Sequence, residues 1–315
     1  MNPRVFSGLL LVAVCVCCGW GFPVHRHIHQ AAIEALPSPL YGWFSEESDW
    51  LVAHAVDADK RKHTVVKEAP RHYIDLDAPA LSCLDSLGNA PTYREACDAC
   101  TEDSLWAFGV LPWNVQWAYG RLVEAFDQKD KAGILRAAAD LGHYVADAHV
   151  PLHTTLNYNG QLTSQDGIHA VWETRLPELF GDGYWLVVDA PDASVDVRPW
   201  IWQRVRDSHG HVSRVLEEER VVTQQGPMEQ HVREERGRAM MLQRTPAWCE
   251  AYHSALGGMV EDRWRKAIEG VAALWWSAWL EAGQPDLTEA FRGDAATKGM
   301  RSWWKKRAAK EERNP

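Results

Sequence analysis

Apolar positions recur along this chain mostly at helical spacing, and breaks between the stripes fall at Pro, Gly and short polar runs. The first stripe closes at Ala31–Leu36, where Pro37 and Pro39 stop it. A second helix is expected over Trp50–Lys60. From Ala78 to Asp103, Pro79, Gly88, Pro91 and three cysteines predict a stapled loop. Trp113–Phe126 and Lys131–Ala148 read as a helical pair, ended by Pro151. Thr154–Gly167 is a polar loop, and Ala170–Leu176 is helical up to Pro177. Gly181–Pro199 is irregular, with room for one extended piece at Tyr184–Val188. Further helices are expected at Ile201–Glu219, Gln230–Met241 and Arg263–Ala282. Strand alternation does not recur and no internal repeat is found, so the pattern predicts an all-α fold with a single helical domain over 20–286.

The two ends depart from this pattern. Arg4, the apolar run Val5–Cys18 and Gly19 have the layout of a secretory signal peptide over residues 1–19. The run is too short to span a bilayer. Cleavage before Trp20 and export, to a periplasm or outside the cell, are therefore expected. At the other end, residues 287–315 form a basic tail. From Lys298 to Arg313, the basic Lys298, Arg301, Lys305, Lys306, Arg307, Lys310 and Arg313 stand in sequence against only Glu311 and Glu312, with Trp303 and Trp304 among them. Contact with a membrane surface is one expectation for it, a solvated terminus the blander one. The whole chain carries a net charge of −10, which argues against a body that binds nucleic-acid backbone by charge alone.

After the signal, Cys83, Cys97, Cys100 and Cys249 remain. An even number in an exported chain predicts up to two disulfides, with three possible pairings. Cys97 and Cys100 have no second pair at metal spacing, which favours a disulfide over a zinc site.

The chemistry concentrates between residues 143 and 173. His143 and Asp147 are four apart on a predicted helix, so their side chains share one face and can share a metal. His153 follows the Pro151 break. His169 and Glu173 repeat the spacing of four. One such pair is weak; two pairs and a third histidine this close are hard to explain as surface chemistry. Upstream, Asp57, His72 and His25 are further candidates, with His27, His29, His54 and His63 equally possible by composition.

These motifs resemble the zinc-dependent phospholipase C and single-strand-specific nuclease superfamily. The resemblance rests on Trp20–Gly–Phe–Pro–Val–His25, Asp57, Arg71–His–Tyr–Ile–Asp75, His143–x3–Asp147–x5–His153, His169–x3–Glu173 and the late Trp-rich helix. It implies an all-helical fold around three zinc ions. One would take Asp57, His72, His143 and Asp147; another His153, His169 and Glu173. The third would take the amine and carbonyl of Trp20, with His25 and a bridging Asp147. Asp57 and Asp147 are the residues the resemblance links to water activation. It implies a hydrolase of phosphoric esters, acting on a phospholipid or a nucleotide phosphoester. Glu173 resembles the phospholipase type, and the five-residue step from Trp20 to His25 the nuclease type. A phospholipase C-like activity is the first expectation. A nuclease or 3′-nucleotidase is the second, and a zinc-binding helical protein without turnover the third. His149, Asp75 and Asp77 are expected to support the site rather than ligate. Glu68 and Arg71 are placed to orient His72. Adjacent His–Asp, needed by another phosphohydrolase class, does not occur, and Glu–x–x–His pairs of di-iron bundles do not match.

Overall fold

The computed structural model describes residues 21–236 and 239–291. The expected signal peptide, Trp20 and most of the basic tail lie outside these residues. The architecture is all-α with one small hairpin. Helix α1 (Phe22–Ala35) is followed by α2 (Leu40–Glu46), α3 (Ser48–His54) and α4 (Asp57–Arg61). After two 3₁₀ segments come α5 (Tyr93–Cys100), α6 (Glu102–Phe108), α7 (Leu111–Asp127) and α8 (Lys131–Asp147). Helix α9 (Ile168–Ala170) runs through a π turn (Val171–Arg175) into α10 (Leu176–Phe180). The remainder is α11 (Val197–Gly210), α12 (Val212–Gln225), strands β1 (His231–Arg236) and β2 (Ala239–Arg244), α13 (Pro246–Leu256), α14 (Met259–Glu281) and α15 (Thr288–Phe291).

Helix α8 is the axis. It is buried nearly all round from Ala137 to Asp147, packed on α7, α14, α1 and α3. A helix apolar on every side belongs in the middle of a domain, which is where this one lies. Helix α14 closes the bundle against α1, α7 and α8, with Trp275 at its centre donating to the Ala138 carbonyl. Close approach of α1 to α8 depends on Gly142, because a Cβ there would lie 2.6 Å from His29 Nε2. Pro151 ends α8 as expected, and the chain turns through a 3₁₀ segment, Pro151–Thr154, that carries His153.

Five expectations change, one of them the helix expected over Ile201–Glu219, which divides at His211 into α11 and α12. The helix expected over Trp50–Lys60 breaks at Ala55–Val56, both fully buried, so α3 and α4 are separate. The stapled loop is largely helical: a 3₁₀ run at Pro79–Leu87 and α5, whose start carries a Thr92/Glu95 capping box. A disulfide joins Cys83 to Cys100, while Cys97 and Cys249 are free thiols. Gln230–Met241 is not a helix: residues 231–244 form an antiparallel hairpin pairing Val232 with Gln243 and Glu234 with Met241. Its sequence has no apolar stripe to bury, so helical packing gives it nothing. Ion pairs tie the hairpin down, Glu234 to Arg175 and Arg244 to Glu219. Leu287 and Phe291 are buried, so the packed body continues past residue 286 into the stretch assigned to the tail.

Candidate metal centre

Four segments deliver imidazoles and carboxylates to one buried place: α1, α4, the stretch around His72, and α8 with the turns after it. His25, on the buried face of α1, stacks on His143 with ring centroids 4.0 Å apart. Asp147 lies at the centre. Its Oδ2 is 2.8 Å from His72 Nδ1 and 3.3 Å from His143 Nε2; its Oδ1 is 3.5 Å from His25 Nε2 and 3.8 Å from His153 Nδ1. Both i,i+4 pairs meet as their spacing requires, and His169 Nε2 stands 2.9 Å from Glu173 Oε2. The π turn places Glu173, the irregularity typical of helices at functional sites.

Three donor groups result, the first two sharing His143: His25, His143 and Asp147; Asp59, His72 and His143; His153, His169 and Glu173. Within each, one ligand atom per residue lies within 4.8 Å of the others. Asp57 is in none of them. Its carboxylate, 35 % exposed, pairs outward with Lys60 at 2.9 Å and stands 3.9 Å from His54. Asp59 occupies the inward position instead, 3.5 Å from His143 Nε2 and 3.8 Å from His72 Nδ1. Two residues along a helix is about 200° of rotation, so only one of these aspartates can face the cluster. Trp20 is outside the described residues. The Gly21 N–H, next to it in sequence, donates to the Glu173 carbonyl at 3.3 Å.

The donors are oriented for a cation. The break before α4 leaves the Ala55 carbonyl accepting from His143 Nδ1 at 2.8 Å. The His72 carbonyl accepts from His153 Nδ1 at 2.7 Å. Each bond fixes the tautomer that leaves Nε2 with a free lone pair, as metal-ligating histidines require. Those lone pairs crowd their neighbours, with His143 Nε2 3.1 Å from His72 Nδ1 and His153 Nε2 3.1 Å from His169 Nε2. His25 Nε2 and Asp147 Oδ1, 3.5 Å apart, are both buried without a hydrogen-bond partner. Unsatisfied buried groups are costly, and here they converge. The residues therefore fit a cluster of divalent cations bound by nitrogen and oxygen donors.

Electrostatics agree. Burial alone would lift the Asp147 carboxyl, yet His143 and His153 hold it well below the usual range. Burial opposes charge on His143, but Asp147 and Asp59 raise it to about 10. Burial lowers His25, with the neighbouring His143 adding to the effect. The cluster is thus short of positive charge. One cation of the chain already reaches it. Lys62 Nζ is 2.8 Å from Asp59 Oδ1 with the side chain 12 % exposed. Burial works against its charge, and Asp59 and Asp147 outweigh that.

Around the donors sits a supporting layer. Glu68 is 3.6 Å from His72 Nε2, takes a hydrogen bond from Tyr144 and pairs with Arg61 and Arg71. Asp77 accepts from Thr155 and the Leu156 N–H, as expected of a local acceptor. His29 bonds the His25 and Ala139 carbonyls, and His54 the Trp50 carbonyl. Asp59 and Lys62 are the two residues sequence reading missed. The Asp–x–Asp spacing held the signal for the first, and helical rotation decides between its members. No protein-family model matches the chain, and no curated protein matches it.

Proposed function

We propose that this chain is a zinc-dependent hydrolase of phosphoric ester bonds, phospholipase C-like, in the superfamily its motifs resemble. The observation that carries the reading is the set of three buried donor groups, with Asp147 within 3.8 Å of a histidine of each. Asp59, His72, His143 and Asp147 would hold one ion, His153, His169 and Glu173 a second. His25 would hold the third, with Asp147 shared between it and the first. A terminal amine on Trp20 is proposed as a further ligand, supported by the Gly21 bond to Glu173. Bound zinc supplies Lewis acidity at a phosphoryl oxygen and a lowered pKa for water.

The chain's own residues do the remaining work. The Ala55 and His72 carbonyls hold the imidazoles of His143 and His153 in one tautomer and one direction. Glu68, locked by Tyr144 and Arg61, keeps His72 turned toward Asp147. Lys62 brings a fixed ammonium to the anionic phosphoryl group, where charge grows during ester cleavage. Exposed apolar side chains sit on the flanking loops: Val66 between Lys62 and His72, and Leu162 between His153 and His169. Such side chains, next to the ligands in sequence, suit a lipid substrate. Tyr158, 41 % exposed with its ring centroid 6.1 Å from that of His169, favours the second reading, a single-strand nuclease or 3′-nucleotidase with a base stacked there.

The Cys83–Cys100 disulfide is of the kind retained in oxidising compartments and supports the proposal of export. The test is hydrolysis of phosphatidylcholine, single-stranded DNA and a chromogenic phosphodiester, with and without chelator. Chelator-sensitive release of phosphocholine is the expected result. Cleavage of DNA alone would select the second reading. No turnover by fully zinc-loaded protein would leave a metal-binding protein without catalysis.

A further inference from the structure

A second concentration of charge lies away from the metal cluster and shares no residue with it. Helices α11 and α14 and the loop after the 3₁₀ run Pro79–Leu87 border a cleft of about 700 Å³. Asn89, Gln203, Arg204, Arg206, Asp207 and Lys266 line it. Its acid is already engaged: Asp207 takes the fully buried guanidinium of Arg263, and Lys266 stands 3.9 Å from it. Lys266 also pairs with Asp262 at 2.9 Å.

Arg204 and Arg206 differ. Among the described residues neither has a carboxylate in ion-pair range. Arg204 lies over the Trp200 ring at 5.2 Å and Arg206 over Trp202 at 5.4 Å. Arg206 bonds the Gly88 carbonyl, and its Nε is buried without a partner. Both guanidiniums are thus held by indoles and backbone, with donors left over. On a chain of net charge −10, two arginines without carboxylate partners in one cleft offer an anion their unused donors.

We propose that this cleft binds the phosphoryl group of a small phosphomonoester. Guanidinium forks match phosphate oxygens two at a time, and the amides of Asn89 and Gln203 supply neutral donors beside them. The cleft leaves room beside a phosphate for an organic part. This site is independent of the metal-centre reading. The two are joined mechanically, since α11 braces the metal segment through Ser208 to the Ala148 carbonyl and α14 through Arg263 to the His149 carbonyl.

The test is calorimetric titration of zinc-loaded protein with inorganic phosphate and, separately, phenyl phosphate. Wild type is expected to bind one more equivalent than Arg204→Gln/Arg206→Gln. Asp147→Asn is expected to keep that equivalent while its metal content falls. Lys266→Gln, a milder change should the double variant misfold, is expected to weaken the same site about tenfold, the effect of one charge-assisted bond. Phenyl phosphate binding more tightly than phosphate supports a phosphomonoester; equal affinity overturns that part. Identical isotherms for wild type and a folded double or Lys266→Gln variant would overturn the site. So would chloride competing as well as phosphate.

Discussion

Asp147 approaches four imidazoles with two oxygens, so its loss should cost more than one ion. Asp147→Asn is expected to lose at least two zinc ions by elemental analysis, and Glu173→Gln only one; equal losses would contradict the shared position. The aspartates of α4 give a sharper comparison. Asp59→Asn should cost one zinc ion and lower activity at least tenfold, a scale that even the loss of a group supporting a ligand reaches. Asp57→Asn should leave both unchanged, because its carboxylate faces Lys60 and solvent. Asp75 makes a prediction in pH. Burial, then the neighbouring Asp77, push its carboxyl up to about 7. An acid whose folded pKa is raised costs no stability below its unfolded value near 4. The penalty grows as pH rises toward 7 and is complete above it. Asp75→Asn should therefore stabilise the protein at pH 8, by on the order of 2–4 kcal/mol, and leave it unchanged at pH 3.5. Urea midpoints at the two pH values decide this, and equal gains at both would refute it.

Among the elements, those that shape the site are the irregular ones. The α3–α4 break, the 3₁₀ turn at Pro151 and the π turn at Val171 each redirect a ligand or free a carbonyl that a straight helix would hide. Only the Pro151 turn carries a local sequence signal. Gly109 is a similar joint. It sits at φ 97°, and a Cβ there would lie 2.1 Å from the Tyr73 carbonyl oxygen, one residue from His72. Gly109→Ala is expected to cost roughly 3 kcal/mol or more, combining a left-handed backbone with a steric clash. It should also lower zinc content, because the displaced segment carries His72. A variant of normal stability and full metal would show that the approach is slack. The hairpin is the element that helical periodicity misassigns, since its stability comes from cross-strand pairing and from ion pairs to Arg175 and Glu219.

For the whole molecule, folding and metal binding are one equilibrium if the cluster is as charge-deficient as its geometry indicates. Chelation should lower the thermal midpoint by more than 10 °C, and zinc should restore it, as for any ligand bound only by the native state. An unchanged midpoint would mean that the cluster is preformed without cations. The Cys83–Cys100 link, 17 residues apart, lies away from the donors. Replacing both cysteines by Ala should cost about 3 kcal/mol, from the freed loop of the unfolded chain, with zinc content intact.

The sequence by itself determined the helical class, the α7–α8 pair, and seven donors that spacing or motif could mark: His25, His72, His143, Asp147, His153, His169 and Glu173. Pairs four apart on one helix are local geometry, and local geometry is written in the order of residues. Tertiary structure alone decided that Asp59 rather than Asp57 turns inward, because Ala55 and Val56 are buried and break the helix ahead of them. It likewise decided that Lys62 reaches the cluster, that Cys83 pairs with Cys100, and that Arg204, Arg206 and Lys266 share a cleft. Each of these depends on how separate segments are packed together, and no spacing along one segment records the direction from which another arrives.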